Sequence, residues 1–145
     1  MALTFLDKGL ASISYSGTGT SKYRVEGSQG PLRFFYGTTV DLKTGRLLCL
    51  PDIFDVNDHF TEVFLKYANE QLSAEQGRPF SASANGVLVK EGLQSTSHYM
   101  CPSFYTDGAD IVVLWSMWDN QNRPVAIPLS ELAGDVRPEY RGILG

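Results

Sequence analysis

Residues 58–77 constrain the fold more than any other stretch of the chain. Phe60, Val63, Phe64, Tyr67, Ala68 and Leu72 recur at intervals of three and four. That spacing lays one apolar stripe along a helix of about five turns. Asp55, Asn57 or Asp58 can cap its start, and Glu62 places negative charge in the first turns. Gly77 fits the position just past the helix end, and Pro79 forbids continuation. A stripe of this width must be buried against something, and the rest of the chain offers mainly strands.

Residues 11–16 alternate, with Ile13 and Tyr15 on one face, and a Gly/Ser/Thr-rich loop is expected at 17–21. Residues 32–42 form a long β-rich run. Gly45 supplies a tight turn, residues 46–50 return as the second arm of a hairpin, and Pro51 stops that strand. Asn85-Gly86 predicts a two-residue hairpin between strands at 80–84 and 87–90. Asp107-Gly108 predicts a turn between 99–106 and 110–116. Residues 119–122 form a polar tip before a strand at 123–127, and 128–132 read as one short helical turn. No repeat, heptad or linker divides the chain. Residues 1–145 therefore read as a single domain, with 1–10 and 137–145 as loosely held ends. Strands, one long helix, then strands predict an α+β fold, two-layered, with a mostly antiparallel sheet and one long helix packed on one face.

Charge narrows the function classes. Twelve Lys and Arg stand against sixteen Asp and Glu, a net of −4, and only 19% of residues are charged. A nucleic-acid clamp needs the opposite sign, so no nucleic-acid partner is expected. The longest apolar run, 111–115, is too short for a bilayer span, so direct membrane insertion is not expected. The first eight residues lack the basic start, long apolar centre and small-residue cleavage site of a signal peptide. The expectation is a cytoplasmic chain if complete, or a piece of an exported protein. Cys49 and Cys101 are too few for a disulfide framework. They read either as small, half-buried residues in strands or as one bridge.

The search for chemistry finds little. His98 and Cys101, three apart on a strand, would face opposite sides, which is poor geometry for a shared proton or metal. No Gly-x-Ser-x-Gly elbow and no zinc-ligand spacing occurs. Asp52, Asp55, Asn57 and Asp58 lack the glycine and late glutamate of a calcium loop, and helix capping accounts for them. Gly17-x-Gly19 lacks what a phosphate loop requires. No catalytic residue, metal or cofactor is therefore assigned. The turn carboxylates Asp107, Asp110 and Asp119 remain as candidates for glycoside chemistry. Aromatic residues make up 12% of the chain. On a strand, Trp115 and Trp118 point to opposite faces, so either both rings are core or one fills the core while the other reaches the surface. Tyr and Trp beside a polar loop tip are what a recognition surface uses.

The ordered motifs add a resemblance. Residues 35–54 run Phe-Tyr-Gly-Thr-Thr-Val-Asp-Leu-Lys-Thr-Gly-Arg-Leu-Leu-Cys-Leu-Pro-Asp-Ile-Phe. They resemble the hairpin of the extracytoplasmic C-terminal domain of RsiV-type anti-sigma factors. That domain, a domain of unknown function called DUF3298, also accompanies peptidoglycan deacetylases. Asp41 to Gly45 and Leu50 to Phe54 carry the match. Near the C-terminus, Phe104-Tyr105-Thr106-Asp107-Gly108 and Val125-Ala126-Ile127-Pro128-Leu129-Ser130-Glu131-Leu132 are similar to the family's closing strands and turn. The family's Gly-x-x-His near the first loop is missing, and Met117 to Asn122 replaces its Tyr/Pro-rich loop. The resemblance implies a non-catalytic, envelope-facing binding or sensory domain whose ligand is lysozyme or a cell-wall component. Trp118, Asp119, Asn120, Gln121 and Asn122, with Tyr99 and Tyr105, are the candidate contact surface. The alternative is a cell-wall glycan-active enzyme using the turn carboxylates, or an accessory domain of one.

Overall fold

A computed structural model describes residues 1–19, 32–76, 86–97, 100–116 and 122–144. The fold is α+β, and its strands divide between two antiparallel sheets. Strands β1 (Ala2–Asp7), β2 (Leu10–Gly19), β3 (Leu32–Asp41) and β4 (Arg46–Leu47) form the first sheet in that order. Strands β5 (Ser103–Thr106), β6 (Asp110–Ser116) and β7 (Asn122–Pro128) form the second. Between the sheets in sequence lie α1 (Leu50–Ile53), α2 (Asp58–Gln76) and α3 (Gly86–Leu93), and α4 (Arg141–Leu144) closes the chain. No helix among the described residues is long and apolar enough to cross a membrane.

Most turns follow their local chemistry. Gly45 adopts a φ of 70° between β3 and β4, a value that L side chains avoid. Pro51 lies in the first turn of α1, where its missing N–H leaves no bond unmade. Several expectations change. The return arm of the hairpin is only Arg46–Leu47, and Leu50 already belongs to α1. The strand before Asp107 begins at Ser103. The ends expected to be loose are held, since Ala2–Asp7 pairs with β2 and Leu144 of α4 is buried. Gly17 to Gly19 are not loop but the end of β2, paired with Leu32 to Phe34. Residues 87–90 are not a strand but part of α3, which starts at the Gly86 of the expected hairpin turn. Residues 20 and 21 of the loop, Gly77, Pro79, the 80–84 strand and Asn85 lie outside the described residues.

Helix α2 starts where capping predicts. Asn57 Oδ1 accepts the Phe60 N–H at 2.9 Å, and the Asn57 carbonyl accepts the Thr61 N–H at 3.1 Å. The stripe of Phe60, Val63, Phe64, Ala68 and Leu72 is buried in a core shared with Ile111, Val113, Val125 and Ile127 of the second sheet. Such burial is worth on the order of 10 kcal/mol before ordering entropy is subtracted. Phe64 meets Trp115 with ring centroids 5.2 Å apart. Farther along, the Gln71 amide donates to the Ala126 carbonyl at 2.7 Å and accepts its N–H at 2.9 Å. A side chain thus completes the hydrogen bonding of β7, which pairs only with β6 among the described strands.

The sheets meet through a seam of hydroxyls. Thr39 Oγ1 donates to the Phe104 carbonyl at 3.1 Å, which spends its single hydrogen. Ser12 Oγ, 2.7 Å from Thr39 Oγ1, must therefore be the donor of that pair. Thr4 Oγ1 donates to the Thr106 carbonyl at 2.7 Å. The Phe104 and Thr106 carbonyls of β5 are thus satisfied by threonines of the first sheet. Gly37 permits the approach, since a Cβ there would stand 2.8 Å from the Phe104 carbonyl carbon.

Candidate functional site

Beside this seam, between β3 and the second sheet, lies a cleft of about 490 Å³. That volume lies within the range of roughly 300–1,000 Å³ typical of small-ligand sites. Tyr36 of β3 forms one side. Met100, Cys101 and Pro102 form the approach to β5, Ser103 opens that strand, and Trp115, Ser116 and Asn122 supply the ends of β6 and β7. Gly92 of α3 lies behind the Trp115 ring, where a Cβ would come within 3.1 Å of it. Phe64 and Gly92 together hold Trp115 half-buried in place.

The lining mixes apolar side chains with the hydroxyls of Tyr36, Ser103 and Ser116 and the Asn122 amide. Tyr36 is 51% and Met100 74% exposed, so both rims offer uncovered apolar surface to a ligand. Ser103 Oγ is buried and finds no hydrogen-bond partner among the described residues. A buried hydroxyl without a partner costs about 1–3 kcal/mol. Asn122 Nδ2 donates weakly to the Phe35 carbonyl at 3.4 Å, which leaves amide capacity for another partner.

The predicted contact residues divide. Asn122 lines the cleft. Tyr105 lies on β5 against Gly37, and burial, with the Asp107 charge second, pushes its phenol above the ordinary value. Tyr99, Trp118, Asp119, Asn120 and Gln121 lie outside the described residues, as does His98. Sequence reasoning missed Tyr36, Met100, Ser103 and Trp115 as cleft residues. Only the aromatic content and the Trp115 face argument pointed towards them.

The carboxylates have other tasks. Asp107 Oδ1 accepts the N–H groups of Asp110 at 2.8 Å and Ala109 at 2.9 Å. These backbone bonds hold its carboxyl below the ordinary carboxylate value, the reverse of what a general acid needs. Asp110 opens β6, and Asp119 lies outside the described residues. Asp52 accepts the Cys49 N–H at 2.8 Å and pairs with Arg46, while Asp58 pairs with Lys90 at 2.6 Å. Asp135 holds the Asn57 amide at 2.9 Å and His59 Nδ1 at 2.6 Å. No group of three or more His, Cys, Asp or Glu among the described residues is placed to hold a metal ion.

No family model matches the chain, and no curated protein matches it. Among solved structures it is similar to a member of the DUF3298 family from Bacteroides fragilis NCTC 9343, with a TM-score of 0.52 and 19% identity. That likeness covers 96% of this chain and 53% of the other, so this chain spans about half the length of the structure it matches. A DUF3298 family protein from Pseudomonas aeruginosa PAO1 has a TM-score of 0.49 and 16% identity, over 94% of this chain and 60% of that one. At this level of identity the likeness is one of architecture, and the chain has the fold of a DUF3298 family structure.

Proposed function

We propose that residues 1–145 form a non-catalytic binding or sensory domain of a bacterial envelope protein, taking its ligand in the cleft between β3 and the second sheet. The observation that carries this reading is the lining. Exposed Tyr36 and Met100 and half-buried Trp115 line the cleft together with Ser103, Ser116 and the Asn122 amide. A few polar groups set in aromatic and apolar walls give a binding site orientation and affinity together. Ser116 and Asn122 flank the 117–121 segment on either side, and both line the cleft. Trp118 to Gln121 are therefore joined in sequence to the site they are proposed to serve. Tyr99 adjoins Met100 in the same way. The ligand is lysozyme or a cell-wall glycan, as the resemblance to the RsiV-type domain implies, and the domain works outside the cytoplasm.

Calorimetric titration with lysozyme and, separately, with muropeptides from digested cell wall tests the reading. Binding to one of them is expected, weakened about tenfold by Tyr36→Ala, a loss of about 1.4 kcal/mol. Tyr36 is half exposed, so that variant leaves the core intact. A folded domain that binds neither probe, or binds one with no change in the Tyr36→Ala variant, overturns it.

A further inference from the structure

Cys49 and Cys101 are 52 positions apart, yet their sulfurs stand 2.6 Å from each other. Cys49 is fully buried just before α1, and Cys101 is half-exposed on the approach to β5. Neither residue lies within a strand. The backbone around them is tied down on both sides. The Cys49 N–H is held by Asp52 at 2.8 Å, and the Cys101 N–H by the Ser97 carbonyl at 2.7 Å. The Gln94 amide anchors the same loop to the Val56 carbonyl at 2.8 Å. Two sulfurs this close are within a few tenths of an ångström of the S–S bond length of about 2.05 Å.

We propose that Cys49 and Cys101 form an intramolecular disulfide, made by thiol–disulfide exchange with a small-molecule disulfide. Cys101 is the entry point because it reaches solvent. Its thiolate attacks one sulfur of the oxidised donor, forming a mixed disulfide and releasing one donor thiol. Cys49 then loses its proton and attacks the Cys101 sulfur, and the second donor thiol departs. Two protein thiols are oxidised and one donor disulfide is reduced to two thiols. Burial, the largest of several causes, pushes the Cys49 thiol up to about 12, so it is a poor first nucleophile in the reduced protein and a stable bridge partner afterwards. The bond would close a loop of the intervening chain and restrict the unfolded state.

Oxidised glutathione serves as the probe. The folded chain is incubated with it, then denatured, alkylated and weighed with and without reductant. The expected product carries no alkyl group before reduction and two after it, runs as a monomer without reductant, and loses roughly 10 °C in Tm when reduced. In the Cys49→Ala variant a glutathione adduct is expected to persist on Cys101. A wild-type product that keeps both thiols alkylatable, retains one glutathione, or dimerises through disulfides overturns the proposal. The wild-type measurement decides the matter even where the variant folds poorly, and it does not depend on any ligand.

Discussion

Single side chains decide how closely the sheets approach. At Gly37 the first sheet presses backbone to backbone on β5. A Cβ there meets the Phe104 carbonyl carbon at 2.8 Å and its oxygen at 3.0 Å, and neither can swing away as a flexible side chain would. Gly37→Ala is expected to cost about 2 kcal/mol through overpacking, read as a lower urea midpoint with an unchanged slope. A midpoint equal to that of the wild type would show that the strands can part freely. Tyr67 and Glu131 make a prediction about pH. The Tyr67 hydroxyl donates to Glu131 Oε1 at 2.6 Å, and that bond, then burial, pushes the phenol up to about 12. Because the folded state holds the phenolic proton more tightly, the stabilisation is complete below the ordinary tyrosine pKa of about 10. It is lost as pH rises from there through about 12. The same bond, with Lys66 nearby, lowers the Glu131 carboxyl. Its share is present above the ordinary glutamate pKa of about 4.3 and is lost as pH falls through the folded value. In Glu131→Gln the Tyr67 ring resonance is expected to titrate at lower pH, and an unchanged midpoint would refute the assignment.

At the scale of elements, what was legible depended on whether local and tertiary demands agreed. Helix α2 was readable because cap, stripe and length all favour one state, and Asn57 does what its position predicts. In α3 they disagree. Val87 and Val89 and the preceding Asn-Gly pair carry strand and turn propensity. The structure makes a helix because Val89 and Leu93, one turn apart, are buried in the core, while Lys90 reaches Asp58 at the start of α2. Propensity loses to burial there, and no local signal announces it. The Gln71 clamp on Ala126 was equally invisible, since a glutamine on an exposed helix face reads as solvated. Gln71→Ala is expected to cost about 1 kcal/mol and to leave the Ala126 N–H and carbonyl open to another chain. Sedimentation velocity should then show association rising with concentration, with Gln71→Glu intermediate because it keeps only the acceptor. A variant that stays monomeric at all concentrations would mean that β7 needs no such protection.

The whole molecule depends on contacts that sequence reading cannot reach. Strand content and direction were legible, but the division into two sheets was not, because it rests on pairs such as Thr4 with Thr106, 102 positions apart, and Thr39 with Phe104, 65 apart. The cleft is a product of the same docking, so its Tyr36, Ser103 and Trp115 could not be assembled from local patterns, although Asn122 could be singled out. The seam should therefore behave as a unit. Thr39 is 2% exposed, and Thr39→Val keeps its shape while stranding the Ser12 hydroxyl and the Phe104 carbonyl. A loss of about 2–3 kcal/mol is expected. Thr4→Val should cost less, near 1 kcal/mol, because its hydroxyl is only partly buried and water can replace it. If the sheets dock as one cooperative surface, loosening β5 at either end weakens the other bond, and the double variant should lose less than the sum of the singles. A double-mutant cycle by urea denaturation should return a coupling of about 0.5 kcal/mol or more. Strict additivity would mean that β5 is held by two independent hydrogen bonds, and that the walls of the cleft are set by apolar packing alone.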